Sequence, residues 1–269
     1  MKKIMIILLI ALLAVSITGC GEEKTVDVKK TAEPSQTVAP VEKTEQKTVP
    51  EPIVEVKVED VDLKTSDGMN LKGTYYKGTT NKGAILLHML NNDRSSMAGF
   101  AQDLQDEGYH VIAIDFRGHG ESDGDWNDFS SNEFEDKNDF VDMEYDVEAA
   151  AAFLKKKATW PKTIIGASIG ANIALRYGAS TPEVEKVVLI SPGLSYKGVR
   201  TNEASMRYQG QVLMIGSTED TDYIDANEKL NNKFVGKHKT FEYIGKGHGT
   251  DLFKLESGLS ARIIKWLNE

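Results

Sequence analysis

Thr163-Ile164-Ile165-Gly166-Ala167-Ser168-Ile169-Gly170-Ala171-Asn172-Ile173-Ala174-Leu175 is the stretch whose reading decides this chain. A short β-branched run leads into Gly-Ala-Ser-Ile-Gly, and a helix-forming run at 171–177 follows. Strand, G-x-S-x-G and helix, in that order, make the context of a nucleophile elbow. The reason is steric. A serine at the apex of a tight strand-to-helix turn has a strained backbone, and the residues two positions to either side crowd it. Glycine at 166 and 170 removes the side chains that would collide. The turn exposes the Ser168 hydroxyl and points the first N–H groups of the new helix at the place where an oxyanion would develop.

Working outward, Ala84-Ile85-Leu86-Leu87-His88 and Val111-Ile112-Ala113-Ile114-Asp115 are continuously apolar and read as strands of a sheet covered on both faces. Further strands are expected at 184–190, 211–215 and 239–244, and helices at 95–107, 143–157, 223–230 and 251–267. Before them, residues 53–63 alternate valines with charges, Thr65-Ser66-Asp67-Gly68 signals a turn, and 70–76 reads as the second arm of a hairpin. A hairpin followed by alternating strands and helices predicts an α/β fold with a mostly parallel central sheet and helices on both faces. Ligands of such sheets bind beyond the carboxyl ends of the strands, where every candidate below falls.

With Ser168 as nucleophile, an acid and then a histidine should follow in chain order. His248 sits in Gly245-Lys246-Gly247-His248-Gly249, between the last strand and the last helix. A histidine among loop glycines is poorly placed for core packing and well placed to take a serine proton and pass it to a leaving group. The loop after 211–215 offers Glu219, Asp220 and Asp222. Asp220 is preferred, with Glu219 next, because Gly216-Ser217-Thr218-Glu219-Asp220 leaves enough loop to turn the carboxylate toward the histidine. Its role would be to fix the imidazole tautomer and stabilise the imidazolium. One oxyanion donor should be the backbone N–H of Ile169, and the second should come from His88-Met89-Leu90-Asn91. Leu90 is favoured there and Met89 is the alternative, while His88 reads as a packed loop anchor.

These residues, together with Asp115-Phe116-Arg117-Gly118-His119-Gly120-Glu121-Ser122, resemble the α/β-hydrolase superfamily, in particular its serine esterases and serine-aminopeptidase-like hydrolases. The likeness covers essentially all of 53–269. It implies the α/β-hydrolase fold and a triad of Ser168, Asp220 and His248. It also implies that the 115–122 turn is structural, so Arg117 and His119 are assigned no chemistry. Two departures stand out. The family's usual His-Gly is His88-Met89 here, and the acid lies four residues past Gly216 where three is common. Where larger relatives insert a lid, only 191–210 separates two strands, so minimal or no lid and an open site are expected, nearer to hydrolases of small esters than to interfacial lipases.

The amino terminus has another purpose. Met1-Lys2-Lys3 is positive, residues 4–17 are almost continuously apolar, and Ile17-Thr18-Gly19-Cys20 resembles a bacterial lipobox. Residues 1–20 are therefore expected to be a lipoprotein signal peptide ending at a lipidated Cys20. Cys20 is the only cysteine, so no disulfide forms within the chain. Residues 21–52 lack aromatics and hold four of the seven prolines, the composition of a disordered tether.

Formal charge −9 and the lack of a basic stripe argue against nucleic acid. No cofactor and no metal are expected. Asp123, Asp125 and Asn127 resemble half a calcium loop, but Asp128 stands where glycine is needed and Phe134 where the bidentate glutamate belongs. The acids of 121–146 read instead as a charged loop near the pocket mouth that would repel anionic acyl groups. The expectation is a monomeric, extracytoplasmic, membrane-anchored serine hydrolase taking a small-molecule carboxylic ester or thioester. Two alternatives are an aminopeptidase or amidase on the same machinery and a non-catalytic envelope lipoprotein on the same fold.

Overall fold

Successive side chains of a strand point to opposite faces, so a strand apolar at every position must be covered twice. The computed structural model satisfies that demand. It describes residues 58–131, 138–157 and 159–269. The signal segment 1–20 with Cys20, the tether 21–52, the first residues of the expected domain (53–57) and Phe134 lie outside the described residues.

The strands are β1 (Val58–Lys64), β2 (Asn70–Tyr76), β3 (Gly83–Leu87), β4 (His110–Ile114), β5 (Pro161–Ala167), β6 (Lys186–Ile190), β7 (Ser195–Tyr196), β8 (Val199–Arg200), β9 (Gln211–Ser217) and β10 (His238–Tyr243). Eight of them form one sheet in the order β1-β2-β4-β3-β5-β6-β9-β10. The β1–β2 hairpin is antiparallel and β2 pairs antiparallel with β4, while the other neighbours run parallel. Along β3, Ile85 and Leu87 enter one core and Ala84 and Leu86 the other. Strands β4, β5, β6 and β9 alternate in the same way. The chain leaves β3 toward β4 and leaves β5 toward β6, so the crevice between β3 and β5 is a topological switch point, the favoured ligand position of such sheets.

The helices are α1 (Ala98–Asp106), α2 (Met143–Lys156), α3 (Ile169–Ser180), α4 (Asn202–Arg207), α5 (Thr221–Asn231), α6 (Leu252–Leu255) and α7 (Leu259–Leu267). Phe100 and Leu104 of α1 and Ile263 and Trp266 of α7 cover one face. Val147 and Leu154 of α2, Ile173 of α3 and Tyr223 of α5 cover the other. The sequence pattern misses three details. The expected helix at 251–267 is broken at Glu256-Ser257-Gly258, where Glu256 is extended. The helix expected from 95 begins as a 3-10 turn, Arg94–Met97, in which the Asp93 side chain accepts from the Ser95 N–H. Strand β10 stops at Tyr243, leaving Ile244 almost fully exposed.

The segment 191–210 holds only α4 and the β7–β8 hairpin, a minimal insertion. Lys197 and Gly198 both have positive φ, as a two-residue type I′ connection requires. The Asn138 amide donates to the Lys197 carbonyl (2.9 Å) and the Asn172 amide to the Val199 carbonyl (2.8 Å), pinning the hairpin over α3.

Candidate active site

The elbow is built by exclusion. Ser168 has φ 53 and ψ −119, a conformation that L-residues rarely adopt. Its N–H donates to the Ile190 carbonyl (2.8 Å), while its own carbonyl accepts from Ala171 and Asn172 as α3 starts. A Cβ on Gly166 would run into the Gly170 carbonyl, and one on Gly170 would lie 2.6 Å from the carbonyl oxygens of Leu87 and His88. Backbone therefore packs against backbone on both sides of the serine.

Ser168 Oγ donates to Nε2 of His248 across 2.8 Å, and Nδ1 of the same ring donates to Oδ2 of Asp220 across 2.8 Å. A carboxylate can only accept, so Asp220 places the proton on Nδ1 and leaves Nε2 free to take the serine proton. The other Asp220 oxygen accepts from the Tyr223 N–H and so caps α5. Burial pushes the Asp220 carboxyl up, but the hydrogen bond and charge of His248, the neighbouring Ser191 hydroxyl and the Tyr223 N–H outweigh it and hold the group below its ordinary value. It stays ionised beside the ring.

Cross-loop bonds keep acid and histidine in register. The Ser217 hydroxyl donates to the Gly247 carbonyl (2.8 Å), Thr218 Oγ1 accepts from the Gly245 N–H (3.0 Å), and the Glu219 N–H donates to the Gly245 carbonyl (3.0 Å). Glu219 thus contributes backbone to this lacing and is itself exposed, as is Asp222; Asp220 is the acid brought to His248.

His88 lies fully buried at the end of β3. Its Nδ1 donates to the Met89 carbonyl (2.8 Å) and its Nε2 accepts from the Phe116 N–H (3.0 Å). Burial depresses the imidazole to about 3 against the opposing pull of the Met89 carbonyl, so the ring is a neutral strut between the 88–92 loop and the end of β4. Within the described residues neither the Leu90 N–H nor the Ile169 N–H is engaged by another backbone carbonyl. Met89 packs on the other side, its sulfur beside Gly249 of the histidine loop.

The 115–122 turn is architectural. Asp115, wholly buried, accepts from the backbone N–H groups of Arg94 (2.7 Å) and Glu121 (2.9 Å). Arg117 bridges Asp146 and Asp67. Asp123 and Asp125 spend their carboxylates on Asn70 and Asn127. Among the described residues no three His, Cys, Asp or Glu side chains gather as a metal set would.

Sequence reasoning passed over Tyr196. Its ring stands edge-on to His248, with centroids 6.0 Å apart and planes at 89°. Its hydroxyl donates to the Ser191 carbonyl across 3.3 Å and neighbours the Ser168 hydroxyl. Only the closely spaced turn residues Lys197-Gly198 hinted that a rigid hairpin would stand here.

A mostly parallel sheet with helices on both faces, carrying a serine elbow at its switch point, defines an α/β-hydrolase. Within that class, the family described as serine aminopeptidase, S33 matches residues 79–231, more than half of the chain, and the chain belongs to it. Among solved structures, an esterase from Pyrococcus furiosus is similar at 20% identity and TM-score 0.63, over 79% of this chain and 90% of that one. A dienelactone hydrolase from Anabaena variabilis is similar at 19% identity and TM-score 0.62, over 79% and 95%. An esterase from Exiguobacterium antarcticum is similar at 13% identity and TM-score 0.61, over 78% and 99%. At these identities the likeness speaks for the fold alone. No match is found among curated protein sequences.

Proposed function

We propose that the protein is a serine hydrolase that cleaves carboxylic esters or thioesters through an acyl-enzyme on Ser168. The observation that carries the reading is the unbroken hydrogen-bond chain from Asp220 through His248 to Ser168. In the proposed sequence Ser168 Oγ attacks the acyl carbon as its proton passes to His248 Nε2. The N–H groups of Ile169 and Leu90 receive the oxyanion, the leaving group departs with the proton from His248, and a water activated by the same ring frees the acid. Asp220 holds the ring's tautomer and stays ionised throughout.

An ester is favoured because two of the similar structures named above are described as esterases and another as a dienelactone hydrolase. The family's own description, serine aminopeptidase, favours a second reading in which the bond is an aminoacyl amide. Against it, Glu121, the first acid of the charged 121–146 stretch and so a candidate to hold a free amine, is paired with Arg94 at 2.5 Å. We further propose that the domain is tethered outside the cytoplasm by lipid on Cys20, a reading carried by Ile17-Thr18-Gly19-Cys20 and the apolar run before it.

Fluorophosphonate labelling of the purified chain, with the adduct located by mass spectrometry, tests the mechanism. Stoichiometric labelling at Ser168, lost in Ser168→Ala and His248→Ala, is the expected result. A folded wild-type chain that refuses the probe would overturn it. Parallel assays on acyl esters and aminoacyl amides decide between the two substrates.

A further inference from the structure

The two loops flanking the elbow come from opposite sides of β5. Leu90 follows β3 and Tyr196 follows β6, and β5 lies between those strands. A substrate whose carbonyl oxygen turns toward Leu90 and Ile169 therefore has another substituent on the β6 side, where the Tyr196 ring stands over His248.

That ring is held as firmly as the elbow. A Cβ on Gly193 would lie 2.5 Å from the Tyr196 ring, so the aromatic face rests on glycine backbone. The Gly193 N–H donates to Asn172 Oδ1 (3.1 Å), and the Thr201 hydroxyl donates to the Gly193 carbonyl (2.9 Å). With the Asn138 and Asn172 amides on the hairpin itself, every short segment around the tyrosine is anchored by a side chain. Ser191 has φ 50, a strained value for a serine, and its carbonyl is thereby turned to the Tyr196 hydroxyl. At 3.3 Å that bond is long for O–H···O, so the proton turns readily to another acceptor. Burial, reinforced by Asp220 and Asp222, raises the phenol far above its ordinary value, and the Ser168 hydroxyl opposes this only in part. The group remains a neutral donor.

Resting on the function proposed above, we propose that Tyr196 closes the β6 side of the site. Its ring limits the size of the substrate group lodged there, and its hydroxyl donates to Ser168 Oγ while that oxygen carries negative charge. No proton leaves the tyrosine. The O–H rotates from the Ser191 carbonyl to Oγ as the serine proton moves to His248, and returns once the acyl oxygen bond has formed.

The test uses the full chain with Tyr196→Phe, which keeps the ring, and Tyr196→Leu, which shortens the wall while keeping the site apolar. Activity is read on two series of p-nitrophenyl and alkyl esters graded in acyl and in alcohol length. Loss of one hydrogen bond to a charged atom predicts a kcat about ten-fold lower for Tyr196→Phe, with KM and the ranking of substrates unchanged. Tyr196→Leu should show a similar fall in kcat and move the optimum of one series toward bulkier groups. Wild-type kcat in Tyr196→Phe, or an unchanged ranking in a folded Tyr196→Leu, overturns the proposal. Fluorophosphonate labelling of the wild type separates the two failures. If Ser168 does not label, the hydrolase reading falls first; if it labels and the variants behave as wild type, only the role of Tyr196 falls.

Discussion

The elbow at Ser168 and the loop at His248 meet in one hydrogen bond but are held by opposite means. Ser168 is buried at the end of a central strand, its strained conformation enforced by glycine backbone on either side. His248 follows the edge strand β10, its side chain 38% exposed among glycines of positive φ. Met89 beside Gly249, Leu252 beside Gly247 and the Tyr196 ring against His248 bound that loop, and three bonds to the acid loop fix its course between them. Ser168 is positioned by sterics and His248 by its neighbours. Damage should therefore behave differently on the two sides: loss of fold at the elbow, loss of chemistry without loss of fold at the loop.

The largest effect belongs to the loop. Asp220→Asn keeps the shape of the side chain but supplies an amide that favours the wrong imidazole tautomer, with Nε2 protonated toward Ser168. A kcat about 10⁴-fold lower is expected, by analogy with the same change in serine protease triads. The melting temperature should move little. Activity within about ten-fold of wild type would mean that His248 is oriented by something other than Asp220, and the contrast drawn above would need a different base arm.

At the elbow the expectation reverses. Gly166→Ala drives a methyl into the Gly170 carbonyl, where backbone cannot yield, and should cost about 3 kcal/mol of stability or more. Gly258→Ala is the control, since a Cβ there meets nothing within 4 Å, and it should stay within about 1 kcal/mol of wild type. Denaturant unfolding of both variants gives the comparison. Equal stabilities would show that the elbow has room to relax.

This difference also explains what was legible in the sequence. A motif enforced by local sterics has a local signature, so Gly166-Ala167-Ser168-Ile169-Gly170 announces both the turn and its strand and helix. The continuous apolar strands are legible for a similar reason, because each must feed two cores. Asp220 could only be preferred over Glu219, because what separates them is a hydrogen-bonding partner eighty residues from the serine on another loop. Tyr196 was invisible: its position depends on Asn138, Asn172 and Gly193, which come together only in the fold. The break at Glu256-Ser257-Gly258 was missed because apolar spacing on both sides resembles one continuous helix.

The His88 strut beneath the 88–92 loop gives a pH test of intermediate size. His88 has both nitrogens committed, and a second proton would face the Phe116 N–H. Its folded pKa of about 3 lies below the unfolded value near 6.5, so the unfolded chain binds the proton first. Stability is then retained above about pH 6.5 and lost as pH falls toward 3, at about 1.4 kcal/mol per unit for this group alone. Burial also lowers His110 and His119, which adds to the slope. Asp220, held below its ordinary value, acts in the same direction only further into acid, below about pH 4. His88→Gln should flatten the dependence between about pH 6.5 and 4.5 even though it is less stable at neutrality. Parallel slopes for variant and wild type would mean that the buried ring titrates normally.

The smallest effect is the most searching test of how His248 is held. Ser217→Ala removes one of the bonds that lace the histidine loop to the acid loop, leaving Asp220, His248 and Ser168 untouched. Ser217 is buried, so the Gly247 carbonyl loses its partner and stability should fall by about 1 kcal/mol. If cross-loop bonds set the geometry, kcat should fall about five-fold, with KM unchanged, because the imidazole then spends less of its time aligned on Ser168. Thr218→Val, which removes the acceptor for the Gly245 N–H further from the ring, should do the same more weakly. A Ser217→Ala protein that loses stability but keeps its full kcat would place the alignment in the Asp220–His248 bond itself, making the lacing a matter of folding alone.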